Sequence, residues 1–94
     1  MTEKRIEAYL REKVKLQGGK AYKFISPGNA GVPDRIIILP GNRISFAELK
    51  APGKTPSANQ LLQRGKLESL GCRVEVIDSK EKVDLFMEGV ADEV

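Results

Sequence analysis

The chain has 94 residues, which is room for one small domain and too little for a (β/α)8 barrel of about 250 residues. It contains no histidine and a single cysteine, Cys72. This composition excludes Ser–His–Asp and Cys–His catalysis, disulfide frameworks, and zinc sites built from histidines or several cysteines. Acid–base or metal chemistry in this chain must therefore depend on carboxylates, lysines and water.

The charge is unevenly distributed along the chain. Residues 1–73 carry 14 Lys and Arg against 6 Asp and Glu, whereas residues 74–94 carry 2 Lys against 7 acids. A basic body with an acidic end suits a polyanionic partner such as nucleic acid, but a solvated, lysine-rich surface explains the charge equally well. No apolar run approaches the ~18–20 residues of a membrane span. We therefore expect no membrane partner and a cytoplasmic protein.

The first half of the chain predicts a helix and three strands. Thr2 is a plausible N-cap for a helix that ends at Gly18-Gly19, because apolar residues follow it at helical spacing, at Ile6, Tyr9, Leu10 and Val14. Residues 21–25 indicate a short strand, and a loop rich in Gly and Pro follows. The β-branched run at 34–39 is typical of a buried strand, and 43–50 returns after the turn Pro40-Gly41-Asn42 as a hairpin.

The second half predicts a helix, a strand and a closing helix. Thr55-Pro56-Ser57 indicates the start of a helix that runs to Leu70, with Gly71 as its stop. Residues 73–77 indicate the last strand, and Asp78 or Ser79 caps a helix over about residues 79–90. The predicted fold is α/β, in the order α-β-β-β-α-β-α, with a central mixed sheet flanked by helices.

The hairpin carries the residues that could perform chemistry. If Pro40, Gly41 and Asn42 form a three-residue loop, Asp34 lies directly opposite Glu48, and both point to the same face as Lys50. If Gly41-Asn42 forms a two-residue loop, Asp34 and Glu48 lie on opposite faces. Turn chemistry permits both registers.

Two carboxylates side by side at the end of an apolar hairpin repel each other, and a hard divalent cation removes that repulsion. Mg²⁺ typically binds one or two carboxylates, keeps several waters and needs no histidine. Lys50 reaches the same site, where it could orient a metal-bound water or stabilise developing phosphorane charge. Two acids, a lysine and a metal fit in-line hydrolysis of a phosphodiester.

Two segments carry a resemblance to a known family. The run Gly31-Val32-Pro33-Asp34, followed by Phe46-Ala47-Glu48-Leu49-Lys50, resembles the PD…(D/E)XK nuclease signature. With Gln60 on the second predicted helix and Gly71 closing it, about residues 3–78 resemble the stand-alone VRR-NUC (virus-type replication-repair nuclease) domains of phages and bacteria. The resemblance implies a restriction-endonuclease-like fold, and we expect residues 1–94 to form a single domain.

The resemblance also implies roles for individual residues. Asp34 and Glu48 would bind Mg²⁺ or Mn²⁺ with the Leu49 carbonyl as a backbone ligand, and Lys50 would be the catalytic lysine. Gln60 would contact the site from its helix. An acid of the first helix would assist the metal, and Glu3 is the first choice, with Glu7 left open. No organic cofactor is implied. The expected contacts to DNA are Lys23, Ser26, Gly28, Arg35 and Lys54.

The activity that follows is that of a metal-dependent, structure-selective DNA endonuclease. It would act as a homodimer on four-way (Holliday) junctions or related branched DNA, or alternatively on flaps and single strands. A non-catalytic DNA- or junction-binding module with the same fold is an alternative from another class. A third is a small interaction protein that associates head to tail through its charge asymmetry.

Overall fold

The structure, a computed structural model, describes residues 1–91, with side chains to residue 89. The chain forms seven elements: α1 (Glu3–Leu16), β1 (Lys20–Lys23), β2 (Arg35–Leu39), β3 (Arg43–Leu49), α2 (Ala58–Ser69), β4 (Val74–Ile77) and α3 (Lys80–Ala91). The predicted α/β fold and its order α-β-β-β-α-β-α are confirmed. None of the helices between residues 1 and 91 combines the length and apolar character that a membrane span requires.

Helix α1 forms where the sequence predicts it. The Thr2 hydroxyl accepts the backbone N–H of Arg5 at 3.2 Å, which satisfies one of the free donors of the first turn. Ile6, Leu10 and Val14 form one stripe and are completely buried. The chain then turns sharply at Gly19, where a Cβ atom would lie 2.5 Å from the Ile38 carbonyl oxygen, so only glycine allows this close approach of backbone.

The four strands form one mixed sheet in the order β1-β2-β3-β4. β1–β2 and β2–β3 are antiparallel, while β3–β4 is parallel and joined through α2. Strand β3 therefore has a hydrogen-bonded neighbour on both sides.

Leu39 pairs with Arg43, so the hairpin loop has three residues, which is one of the two predicted registers. Gly41 has φ 86° after Pro40, the arrangement that a type II turn requires, and Asn42 follows in the left-handed region at φ 61°.

The sheet has two faces of different character. The core face carries Ile37, Leu39, Ala47 and Leu49, all buried under α1 and α3. The opposite face, called the site face below, carries the alternate residues of the hairpin, which include Ile36, Ile44, Phe46 and Glu48. Helix α2 packs against β4 and buries none of its own residues. The β1–β3 part of the site face thus stays partly open, with Ile44 52% exposed.

Candidate active site

Asp34 and Glu48 come together where β2 parts from β3. The last backbone pair of the β2–β3 ladder is Arg35–Ala47. Beyond it, the backbone N–H of Leu49 donates to Oδ2 of Asp34 at 2.7 Å. This side-chain oxygen takes the place of the backbone carbonyl that would continue the ladder. The same register, extended by one residue, sets Asp34 directly opposite Glu48. The three-residue loop therefore places Asp34 and Glu48 side by side, as predicted for this register.

The carboxylate of Glu48 is buried and incompletely satisfied. The residue is 1% exposed, and its Oε2 atom has no hydrogen-bond partner among the described residues. Burial raises the pKa of Glu48 above its ordinary value, and the negative charge of Asp34 raises it further, whereas Lys50 and Arg64 oppose the shift. The site is thus short of positive charge and gains from a cation at this position.

The oxygen atoms available here fit a hard divalent cation. Lys50 donates its backbone N–H to Ile77 of β4 at 2.9 Å, so the N–H and C=O of the preceding residue, Leu49, point toward β2 and Asp34. Two carboxylates and one backbone carbonyl are the ligands that Mg²⁺ and Mn²⁺ prefer, with waters completing the shell. Within residues 1–91, no group of three or more His, Cys, Asp or Glu side chains forms a metal site.

Two cations lie within electrostatic reach of Glu48. Lys50 is half-buried directly after β3, and its charge lowers the pKa of Glu48. Arg64 acts in the same direction from α2, where it also pairs with Glu68 at 3.4 Å. Arg64 was not predicted, although its position one helical turn after Gln60 would have placed it on the same side of α2.

Gln60 lies in the first turn of α2 and serves as part of the helix cap. Its Oε1 atom accepts the backbone N–H of Ser57 at 2.8 Å, and its own N–H donates to the Ser57 hydroxyl at 3.2 Å. This is a capping box. The cap occupies the carbonyl oxygen of the side chain, and the amide NH₂ is the part of Gln60 that could serve a substrate.

The loop before Asp34 is docked tightly on the start of α2. Gly31 has φ 92°, and a Cβ atom there would lie 2.5 Å from the Asn59 carbonyl carbon and 2.7 Å from the Gln60 nitrogen. Only glycine satisfies both the backbone conformation and the contact. This contact fixes the first turn of α2, with Gln60, relative to the strand that carries Asp34.

Arg35 is not brought to the site. Strand alternation places it on the core face, where Nε donates to Oε2 of Glu7 at 2.8 Å and Nη1 donates to the Ala21 carbonyl at 3.0 Å. Its side chain is 14% exposed. The carboxylate of Glu7 is therefore held by this ion pair. Because side chains alternate between the two faces along β2, the sequence already indicated that Arg35 and Asp34 lie on opposite faces.

Glu3 is exposed in the first turn of α1. Met1 and Pro52 line a common cavity of about 270 Å³, so the start of α1 lies near the loop that follows Lys50. Of the two candidate acids of α1, Glu7 is held by Arg35, whereas the Glu3 carboxylate forms no ion pair within residues 1–91.

The remaining predicted DNA contacts are Lys23, on β1, and Ser26, Gly28 and Lys54, in the loops before Asp34 and after Lys50. Lys23 is exposed at the end of β1, but it pairs with Arg35 and shares the core face with it. Ser26 forms a turn in which its hydroxyl accepts Nδ2 of Asn29 at 2.9 Å, and Gly28 is exposed with φ 83° in the same loop. Lys54 is exposed in the turn after Lys50, where its backbone N–H donates to the Ala51 carbonyl at 3.0 Å.

Comparison with known proteins agrees with this geometry. No model of a protein family matches the chain. The chain is 49% identical over 76 residues to "Putative nuclease p44" of Acyrthosiphon pisum secondary endosymbiont phage 1, which covers 81% of this chain and 82% of that protein. A solved structure of a VRR_NUC domain matches with a TM-score of 0.86 and 31% identity, over 94% of this chain and 97% of that one. The chain therefore belongs to the VRR-NUC family.

Proposed function

We propose that this VRR-NUC nuclease is a Mg²⁺- or Mn²⁺-dependent endodeoxyribonuclease that cuts branched DNA as a homodimer. The observation that carries the proposal is the buried Glu48 carboxylate, unpartnered at Oε2 and opposite Asp34. A protein gains nothing in stability from such a group unless a cation binds it. The name of the phage relative describes a nuclease, which agrees with this proposal.

The roles of the residues follow from their positions. A bound ion supplies Lewis-acid activation of a water and of the scissile phosphate. Asp34 and Glu48 would hold that ion with the Leu49 carbonyl, and the N–H of Leu49 fixes the orientation of Asp34 by donating to its Oδ2 atom. Lys50 would bring an ammonium group to the same site, where it would orient the attacking water or stabilise charge on the phosphate. Exposed Glu3 would assist the metal from α1.

The raised pKa of Glu48 makes this chemistry dependent on pH. An ion binds the ionised carboxylate, so binding must displace the proton that burial favours. At a fixed, subsaturating metal concentration, the cleavage rate should therefore increase as the pH rises through the pKa of Glu48. A higher metal concentration should shift this increase to lower pH.

The homodimer is supported by the uncovered apolar surface. On the site face, Tyr22 and Ile44 are 55% and 52% exposed, and on α2 Leu61 and Leu62 are 53% and 56% exposed. A second copy would cover such residues, which a small domain has too little core to bury. Two copies would carry two sites and allow paired incision of a branched substrate. The protein would act in the cytoplasm of a bacterial cell or an infected host.

The decisive experiment incubates the purified protein with Mg²⁺ or Mn²⁺ and labelled four-way junction, flap, single-stranded and duplex DNA. We expect cleavage of branched DNA by the wild type, and binding without cleavage by Glu48→Gln. Paired, symmetric cuts and a dimeric mass in solution support the homodimer, whereas single nicks by a monomer contradict it. Binding without cleavage by both proteins would replace the proposal by a non-catalytic DNA-binding module.

A further inference from the structure

We propose that the groove between α1 and β1 binds the phosphate backbone of a DNA arm that extends from the active site. The proposal rests on the proposed function and adds a second contact surface for the same substrate. The groove has a volume of about 470 Å³. Its floor is made of small residues, Ala8, Gly19 and Ala21.

The cations on the walls of the groove are available for a ligand. Arg11, Lys15 and Lys20 line it and are exposed, and within residues 1–91 none of the three forms an ion pair. Glu12 is the one acid among the lining residues, so the groove retains a positive balance. Elsewhere on the described surface, Arg35, Arg64 and Arg73 are each paired with a carboxylate. Unpaired, exposed cations around a cleft attract and hold a polyanion.

The edge of the sheet adds a backbone donor to these charges. Phe24 donates its N–H to the Asp34 carbonyl across the β1–β2 pair at 2.9 Å. Because hydrogen bonds alternate along an antiparallel strand, the N–H groups of Ala21 and Lys23 point away from β2, toward the free edge. Ala21 belongs to the groove lining. Side-chain cations together with an outward backbone N–H are the groups that most often contact DNA phosphates.

The groove and the catalytic residues lie on opposite sides of the sheet at its β1 edge. Ala21 and Lys23 pair with core-face residues of β2, whereas Phe24, next along the chain, pairs with Asp34 on the site face. Ala21 and Phe24 are three residues apart, which spans about 10 Å. A DNA arm held at Asp34 and Glu48 therefore reaches the groove by passing around the free edge of β1, where Lys23 is exposed. On α1, Arg11 and Lys15 are one helical turn apart, about 6 Å along the axis, and extend the basic surface farther from the site.

The test compares two double variants in a Glu48→Gln background, so that DNA is bound and not cut. Arg11→Gln with Lys15→Gln removes two cations from the groove. Lys13→Gln with Lys80→Gln removes two cations that lie over the Tyr9 ring between α1 and α3. Both double variants have the same net charge, and thermal unfolding of each verifies that the fold is retained. The measured quantity is the dissociation constant for a labelled four-way junction as a function of salt.

We expect the groove variant to weaken binding about tenfold and to make the plot of log K against log salt shallower by about two, since each lost phosphate contact contributes about 0.9 to the slope. The control should change affinity less than about twofold. Equal effects of the two double variants would overturn the proposal, because net charge alone would then explain them.

With Glu48 restored, the groove variant should raise KM and leave kcat unchanged. If the wild type cleaves DNA and the groove variant behaves as the control does, the groove proposal fails and the proposed function stands. If the wild type cleaves no DNA while binding still depends on Arg11 and Lys15, the proposed function fails and the groove remains a DNA-binding surface.

Discussion

Replacing Glu48 by Gln should stabilise the metal-free protein. The side chain is 1% exposed and its Oε2 atom has no partner among the described residues, so the folded state bears the cost of an uncompensated buried carboxylate. An unsatisfied buried polar group costs about 1–3 kcal/mol, and more when it is charged. Because the Gln amide also needs partners, we expect a net gain of about 1 kcal/mol. In a domain of this size that corresponds to an increase in Tm of about 4–8 °C.

The gain should depend on pH in a defined direction. Burial and the charge of Asp34 raise the pKa of Glu48 in the folded state. Between the unfolded and the folded pKa, the folded state binds more protons than the unfolded state, so stability falls as the pH rises through this window. The advantage of Glu48→Gln over the wild type should therefore be largest above the raised pKa of the folded state and disappear below about pH 4, where Glu48 is protonated in both states.

Thermal unfolding with and without Mn²⁺ completes the experiment. An ion at 100 times its Kd stabilises a folded protein by about 2.7 kcal/mol. The wild type should gain this amount, whereas Glu48→Gln should gain little, so the order of the two Tm values reverses when the chelator is replaced by metal. The prediction is wrong if Glu48→Gln is less stable than the wild type in chelator at about pH 8 and shows the same increase in Tm with Mn²⁺. Glu48 would then be a structural residue with satisfied hydrogen bonds.

Three further predictions concern the surroundings of the site. In a denaturant titration, Gly31→Ala should lower the free energy of unfolding by at least about 2 kcal/mol, because its Cβ would lie 2.5 Å from Asn59. Gly28→Ala is the control, since Gly28 has a similar φ in open space, and it should lower the free energy of unfolding by only about 1 kcal/mol. Lys50→Met should reduce kcat by about 100-fold or more and leave the Tm increase with Mn²⁺ intact; loss of that increase would make Lys50 a structural residue. Arg35→Gln should lower the free energy of unfolding by about 1–3 kcal/mol, because it leaves the carboxylate of its ion-pair partner on α1 unpaired. The salt dependence of DNA binding should not change. A shallower dependence on salt would show that Arg35 contacts the DNA.

The order of elements and the hairpin were predictable because each depends on local chemistry. The apolar stripe and the Thr2 cap determine α1, and the β-branched run determines β2. The register was left open because Gly41-Asn42 alone suits a two-residue turn. Pro40 decides it: its fixed φ fits the second position of a type II turn, with Gly41 supplying the positive φ that follows. The juxtaposition of Asp34 and Glu48 follows from that turn.

The contacts of Arg35 and Arg64 were not predicted from the sequence, because both depend on tertiary structure. Arg35 was predicted to contact DNA, but adjacent residues of a strand face opposite sides, and Arg35 meets Glu7 across 28 residues of chain on the side away from Asp34. Arg64 influences Glu48 from α2, whose first turn is in contact with Gly31. Alternation along β2 and helical spacing along α2 give the face on which each residue lies, but neither identifies the partner that it meets in another element.

The placement of the two acids explains how so small a domain tolerates an unpaired buried charge. Strand β3 is hydrogen-bonded on both sides, and its alternate residues Ala47 and Leu49 anchor it in the core beneath α1 and α3. Glu48, between them, cannot turn toward water without breaking that packing. The β2–β3 ladder ends at Arg35–Ala47, so a cation bound just beyond it would meet both carboxylates. A central strand of the sheet thus also holds the group that costs stability, and the ion that would relieve this cost is the one the proposed reaction uses.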